Sequence, residues 1–335
     1  MSIVMTGGGT GGHLAIIKAV KEHLKDEELI YICSTKGQDR QWFEDDDDFA
    51  YKYFFETRGV VNQGALGKVK SLFMMFKATM KAIKLLKKHK ATVVFSVGGF
   101  SAAATAFAAK ILRIPLVIHE QNAALGSLNK LLKPHAKAFI SSYLEESPIK
   151  AYPIKQIFFD NARIRDKVGT IIFLGGSQGA KAINRLALQI APKLKERGIK
   201  IIHQAGQNNI DEVQKAYDDL DIEAEVFGFT DKLADYMKEA DLAIARSGAS
   251  TLWELSATAL PTLFIPYPYA ASDHQFYNAQ FLVEKDLAWI MRENEIDTEK
   301  VLGLLDENLS DKSRGLMEIV EKNGSEKIAA LLTQI

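Results

Sequence analysis

The sequence predicts an α/β protein built from two doubly wound, Rossmann-like domains facing each other across a cleft. Three observations carry that prediction. Two short apolar runs, residues 3–5 and 170–174, each lead into a glycine-rich loop and then an amphipathic helical pattern, which reads as strand, tight turn and helix start. After each of these openings, further short apolar runs alternate with helical stretches, the signature of a parallel sheet covered on both faces. Finally, 335 residues are too many for one ordinary core and suit two of about 150 each.

Composition narrows the function classes. The chain is 47% hydrophobic and 25% charged, and its 42 basic residues equal its 42 acidic ones, so nothing global points to nucleic acid. The balance is uneven along the chain: residues 1–150 carry 21 basic and 14 acidic side chains, leaving 21 and 28 in the remainder. The first half is therefore the one to meet an anionic partner. A single cysteine, Cys33, excludes an internal disulfide framework and fits a reducing compartment. The first residues run straight into a strand with no leader pattern, and no stretch reaches 18 uninterrupted apolar residues, so membrane contact is expected to be peripheral.

The first loop, Gly7-Gly8-Gly9-Thr10-Gly11-Gly12, lets the backbone turn with positive φ and opens a helix whose unpaired amides favour phosphate. Its glycines also satisfy the dinucleotide spacing, but that reading needs an acid at the end of the second strand, where Cys33, Ser34 and Thr35 stand. His13, directly after the last glycine, is a candidate general base. The five acids at 44–48 read as solvated surface. Residues 68–90 hold eight lysines and no acid; Lys70, Lys77, Lys81, Lys84 and Lys88 form one helical stripe. Leu72, Met75, Ala82, Ile83 and Leu86 fall opposite as the core face, while Phe73, Met74 and Met80 flank the lysines, a pattern suited either to an anionic membrane surface or to a solvated basic helix. A strand at 115–118 opens into His119-Glu120-Gln121-Asn122, a polar rim at a strand's carboxyl end.

The passage between domains falls near 152–161, after which the pattern restarts. Gly175-Gly176-Ser177-Gln178-Gly179 reads as a second phosphate loop, with the nucleophile elbow of a hydrolase as the competing view. Arg246-Ser247-Gly248-Ala249-Ser250-Thr251 follows the strand ending at Ala245. Glu254, one turn further on, is suited to accept hydrogen bonds from vicinal ribose hydroxyls. The stiff segment 266–269 leads to Asp273-His274-Gln275 and Asn278, side chains suited to reading sugar hydroxyls.

Five of these stretches in this order, at 8–13, 119–123, 175–180, 246–254 and 274–279, resemble the MurG family of N-acetylglucosaminyltransferases over nearly the whole chain. The resemblance implies the GT-B fold, with residues 1–160 plus 325–335 as the acceptor and membrane-facing domain and 161–324 as the donor domain. It implies inverting transfer of N-acetylglucosamine from UDP-GlcNAc to the 4-hydroxyl of the MurNAc unit of lipid I, giving lipid II at the cytoplasmic membrane face in peptidoglycan synthesis. By the same resemblance His13 is the base, Thr10, Gly11 and Gly12 line the cleft near the donor sugar and the acceptor pyrophosphate, and Asn122 contacts the sugar. Ser177 would meet the donor phosphate, and Ala249, Ser250, Thr251, Leu252 and Trp253 belong to the segment at the α-phosphate. Glu254 would bind the ribose, Gln275 the GlcNAc hydroxyls, and backbone near Phe229 and Thr230 the uracil. Arg165 would meet the diphosphate, with Arg163 the alternative. Ile16 stands where the family usually has proline, and residues 161–165 and the loop after Gly98-Gly99 depart from the family pattern. No cofactor and no essential metal are expected, and the partners are UDP-GlcNAc, lipid I and an anionic membrane through the helix at 68–90. A UDP-GlcNAc 2-epimerase of the same fold class is the runner-up, and a nucleotide sensor without turnover is the alternative from another class.

Overall fold

The computed structural model describes residues 1–57, 65–176 and 178–335, with side chains described from residue 70 in the helix that begins at 65. Two compact units divide the chain: residues 1–154 with 321–335, and residues 155–320.

The first unit runs β1 (Ser2–Thr6), α1 (Gly11–Lys21), β2 (Glu28–Ser34), α2 (Asp39–Phe43), β3 (Tyr51–Phe55), α3 (Ala65–Lys88), β4 (Val93–Ser96), α4 (Ala103–Leu112), β5 (Leu116–Glu120), α5 (Ser127–Leu132) and β6 (Ala138–Ser141). Among the described residues its strands form one parallel sheet of order β3-β2-β1-β4-β5-β6. The order reverses between β1 and β4, so the loops after these two strands flank the switch point where α/β sheets bind ligands. Ile3, Val4, Met5, Ile30, Ile32, Val94 and Ile118 are buried on both faces of the sheet, which is why these strands read as unbroken apolar runs. The edge strand β3 is absent from the sequence reading. Its Tyr51 to Phe54 stretch is only partly covered, so no clean apolar run marks it.

The second unit comprises α6 (Gln156–Asp160), β7 (Thr170–Leu174), α7 (Lys181–Glu196), β8 (Lys200–Gln204), α8 (Ile210–Asp219), β9 (Ala224–Phe227), α9 (Leu233–Glu239), β10 (Leu242–Ala245), α10 (Ala249–Ala257), β11 (Thr262–Phe264), α11 (His274–Val283), β12 (Trp289–Ile290), α12 (Thr298–Gly303) and α13 (Ser310–Ile319). Its sheet, β12-β11-β10-β7-β8-β9, repeats the order of the first. The two-residue β12 is too short to announce itself in sequence. Because α6 packs on α10, the unit begins at Lys155, ahead of the boundary at 160 expected from sequence. The chain then returns to the first unit, where α14 (Gly324–Gln334) lies against α1.

Two surface expectations change. Asp46 and Asp48 in the acid run are not mere solvated charge, since both pair with the nearly buried ammonium of Lys21. On α3, Ala82 and Leu86 are buried as expected, but Leu72 is 57% exposed and joins Phe73 and Phe76 on the outer surface. Lys77 lies over the Phe73 ring at 4.5 Å, and Lys70, Lys81, Lys84 and Lys88 are exposed nearby in the helix. Among the described residues, no helix is long and apolar enough to cross a membrane.

Candidate functional site

In the first unit the glycine loop leaves β1 at the switch point and ends in α1. Thr10 stands at the helix N-cap in an extended conformation but makes no cap hydrogen bond. Threonine at that position ordinarily accepts an amide of the first turn. Here its hydroxyl instead lies 2.9 Å from His13 Nδ1. Gln121 comes from the end of β5, and its amide nitrogen stands 3.1 Å from His13 Nε2 and 3.4 Å from Nδ1. Near-equal distances to both nitrogens place the amide over the ring rather than along the lone pair of either. Gly99 closes the other side; a Cβ there would sit 3.8 Å from the imidazole and 2.9 Å from the Gly8 carbonyl. Three separate loops thus fix one imidazole.

The polar rim after β5 divides into supporting and presenting residues. Glu120 is buried and accepts from the Asn122 amide at 3.0 Å, the Gly126 amide at 2.8 Å and Asn129 Nδ2 at 2.9 Å, so it ties the loop rather than facing a ligand. Asn122, half-buried, is held by that tie. His119 is fully buried with its ring edge-on to Tyr152 at 5.5 Å, and neither ring nitrogen has a hydrogen-bond partner among the described residues. Burial, with His13 adding to it, pushes its imidazole down to about 3.

The second unit repeats the loop on different support. Gly176 adopts φ +79°, and nothing lies within 4 Å of where its Cβ would stand. Its amide donates to Gln204 Oε1 at 3.1 Å. Gly179 is glycine for packing, because a Cβ would meet the Ala205 carbonyl at 2.4 Å. Ser177 lies outside the described residues. Beneath the loop, buried His203 bridges the Tyr217 hydroxyl at 2.9 Å and Asn184 Oδ1 at 3.1 Å.

Beyond β10, Gly248 caps α10, whose first turn contains Ala249, Ser250 and Thr251. The helix places its positive end and unpaired amides at the carboxyl edge of the sheet. Glu254 is half-buried one turn on, and burial pushes its carboxyl up to about 7 against the opposing pull of Lys155. Leu252 and Trp253 point away: Leu252 is in the core and Trp253 packs against Phe281 at 5.9 Å. Their side chains are therefore removed from the expected site. Gln275 Oε1 accepts the Tyr267 amide at 2.9 Å and so shapes the loop ahead of α11. Thr230 Oγ1 accepts the Lys232 amide at 3.0 Å in a tight turn, beside Phe229, whose ring is 65% exposed.

Arg165 is a correction. It is buried, and its guanidinium donates to the carbonyls of Ala240 at 2.8 Å, Met237 at 2.8 Å, Arg163 at 2.7 Å and Thr258 at 2.5 Å. A guanidinium so engaged has no fork to offer a diphosphate. Arg163 is also committed, to the carbonyls of Lys238, Glu239 and Ala240 and to Asp241 at 2.6 Å. Arg246 contacts Glu293 at 2.7 Å and the carbonyls of Ile265 and Pro266, and holds the segment leading to Tyr267. All three arginines join pieces of the second unit. Among the described residues no three His, Cys, Asp or Glu side chains gather as a metal site.

Two Rossmann-like units, one presenting an imidazole and the other an open glycine loop, a helix start and a carboxyl, have the architecture of the two-domain GT-B class. Residues 3–141 match the glycosyltransferase family 28 N-terminal domain, and residues 170–333 match the family 28 C-terminal domain. The chain is 81% identical over 332 residues, 99% of its length and 98% of the relative's, to the UDP-N-acetylglucosamine--N-acetylmuramyl-(pentapeptide) pyrophosphoryl-undecaprenol N-acetylglucosamine transferase of Sulfurovum sp. strain NBC37-1. It is 53% identical to the transferase of the same name from Sulfurimonas denitrificans, over 98% of this chain and 97% of that one. Among solved structures, Acinetobacter baumannii MurG superposes with a TM-score of 0.83 at 28% identity, covering 100% of this chain and 99% of that one. The chain belongs to the MurG family within glycosyltransferase family 28.

Proposed function

We propose that this chain transfers N-acetylglucosamine from UDP-GlcNAc to the MurNAc 4-hydroxyl of an undecaprenyl-pyrophosphoryl MurNAc-pentapeptide. The observation that carries this reading is the 81% identity, over 99% of the chain, to a transferase of that name. The acceptor hydroxyl oxygen attacks the anomeric carbon of the α-linked sugar, its proton passes to His13, and the bond to the diphosphate oxygen breaks with both electrons leaving on UDP. Inversion gives a β-1,4 link. Thr10 at Nδ1 supports that role, because a hydroxyl there orients the ring.

On the donor side, the amides at the start of α10 take the α-phosphate, as an anion at a helix N-terminus does. Glu254 accepts the ribose hydroxyls as carboxylate, Gln275 reads the sugar, and backbone beside Phe229 and Thr230 holds the uracil. Ser177 meets the diphosphate. Gly11 and Gly12 line the cleft near the donor sugar and the acceptor pyrophosphate, and Asn122 contacts the sugar. The lysine stripe of α3, with Leu72, Phe73 and Phe76 exposed beside it, holds the enzyme at an anionic membrane, peripherally on the cytoplasmic face where the lipid-linked acceptor lies.

The test is UDP release from UDP-GlcNAc, with a lipid I analogue present or omitted, in EDTA. Release that requires the analogue is expected. Release without the analogue would favour a hydrolase, conversion of UDP-GlcNAc to its 2-epimer without net UDP release an epimerase, and binding with neither a sensor.

A further inference from the structure

We infer that Asp39 is a positioning residue for the first glycine loop: its buried carboxylate occupies the loop where an anion would otherwise sit, and so fixes where α1 and His13 begin. A dinucleotide site would place an acid at the very end of β2 to contact a ribose, where Cys33, Ser34 and Thr35 stand. An acid does follow β2, at the start of α2, and it turns back onto the loop. Asp39 is fully buried. Its Oδ2 accepts the Gly9 amide at 2.8 Å. Its Oδ1 lies 3.0 Å from the Tyr31 hydroxyl, which also lies 2.8 Å from the Gly7 carbonyl. The single phenolic proton is shared between the two acceptors. One carboxylate and one phenol therefore tie Gly7 and Gly9, the two ends of the turn.

The neighbouring glycines fit this contact. A Cβ on Gly8 would stand 1.9 Å from Asp39 Oδ1. Gly37 takes φ +98°, and a Cβ there would meet Gly9 Cα at 2.5 Å and Asp39 Oδ2 at 2.9 Å. Both positions exclude side chains so that the carboxylate and the loop can meet. The electrostatic consequence is direct. A phosphate brought to this stretch would be repelled by the carboxylate. The Gly8–Gly9 stretch is thereby closed to phosphate, and an anionic acceptor group is turned toward the start of α1 beside His13. Asp39 touches no substrate and acts through the loop.

The inference rests on the transferase reading for its kinetic readout alone. The experiment compares the full chain with Asp39→Ala and Asp39→Asn. It measures kcat, KM for UDP-GlcNAc and UDP affinity, with hydrogen exchange of residues 7–13 as a readout independent of activity. Asp39→Asn keeps an acceptor for Gly9, and its kcat should stay within about threefold. Asp39→Ala should lose about 100-fold in kcat through misplacement of the base, with KM for UDP-GlcNAc and UDP affinity within about twofold. Exchange at 7–13 should quicken by about tenfold or more while the rest of the unit keeps its protection.

A folded Asp39→Ala with wild-type kcat and wild-type exchange at 7–13 overturns the inference. So does loss of protection throughout the first unit with unchanged kcat per folded molecule, which is a merely structural role. Should Asp39→Ala not fold, Tyr31→Phe takes its place, removing the shared proton. Faster exchange at 7–13 with a smaller fall in kcat supports the inference, and no change in either overturns it. If wild type shows no acceptor-dependent release, the transferase reading fails, while the exchange arm still decides whether Asp39 fixes the loop.

Discussion

Beneath Gly8 the space a side chain would fill holds the Asp39 carboxylate, whereas beside Gly176 nothing lies within 4 Å of a would-be Cβ. The two loops occupy the same place in sheets of the same strand order, and both follow an apolar strand with glycines and a helix. Their supports differ in charge: the Gly9 amide is held by a carboxylate, the Gly176 amide by the neutral oxygen of Gln204. A glycine loop ahead of a helix is an anion site only where its amides face outward and no negative charge lies behind them. The charge difference accords with the proposal that the donor diphosphate is met at the second loop and that the first holds His13.

The largest effect should come from the imidazole. His13→Ala should lower kcat by about 10³-fold, or about 4 kcal/mol in the barrier, with UDP affinity unchanged. Steady-state kinetics beside calorimetric UDP titration would check this, and a parallel loss of UDP affinity would blur the division between the loops. Gly8→Ala drives a methyl group into a buried carboxylate and should cost about 2–3 kcal/mol of stability, read by urea melts. Gly176→Ala meets no neighbour and pays only for its positive φ, about 1–2 kcal/mol, so the first substitution should exceed the second.

Glu254 offers a test on the donor side alone. Its carboxyl is pushed up to about 7, so the carboxylate form grows in as pH rises through neutrality, and UDP affinity should climb between about pH 6 and 8. Glu254→Gln should flatten that rise and weaken UDP by about tenfold at pH 8, the loss of charged hydrogen bonds to the ribose.

The smallest differential effect concerns stability. Burial pushes His119 in one unit and His203 in the other down to about 3. Each binds a proton more readily when unfolded, so this contribution is complete above about pH 6.5 and is lost as pH falls toward 3. Acid melts of wild type and His203→Gln should therefore converge as pH drops below 6.

Much of this was open to sequence reading because it depends on neighbours along the chain. Glycines between an apolar run and a helix pattern are contiguous, and so is His13 after them. Asp39 escaped notice because its partner, Gly9, is 30 positions away and the pairing exists only once α2 folds back over the loop. Arg165 misled for the converse reason. The family resemblance assigns it to a diphosphate, but nothing local reveals that four carbonyls converge on its guanidinium. On α3, helical period alone put Leu72 with Leu86, yet the inward face there is set by what α4 covers, and Leu72 falls outside it.

The return of α14 to the first unit bears on how the chain is assembled. A Cβ on Gly324 would stand 2.5 Å from the Tyr152 carbonyl, so the end of the chain seats closely on a segment made more than 150 positions earlier. On a ribosome, the second unit emerges as one uninterrupted piece and can fold as it appears, whereas the first must wait with one side of α1 uncovered until the final helix arrives. Closing so long an insertion costs about 4–5 kcal/mol of chain entropy by the logarithmic rule, and a second unit already folded with its ends close together relieves most of it. The later unit to be synthesised is then the first able to finish.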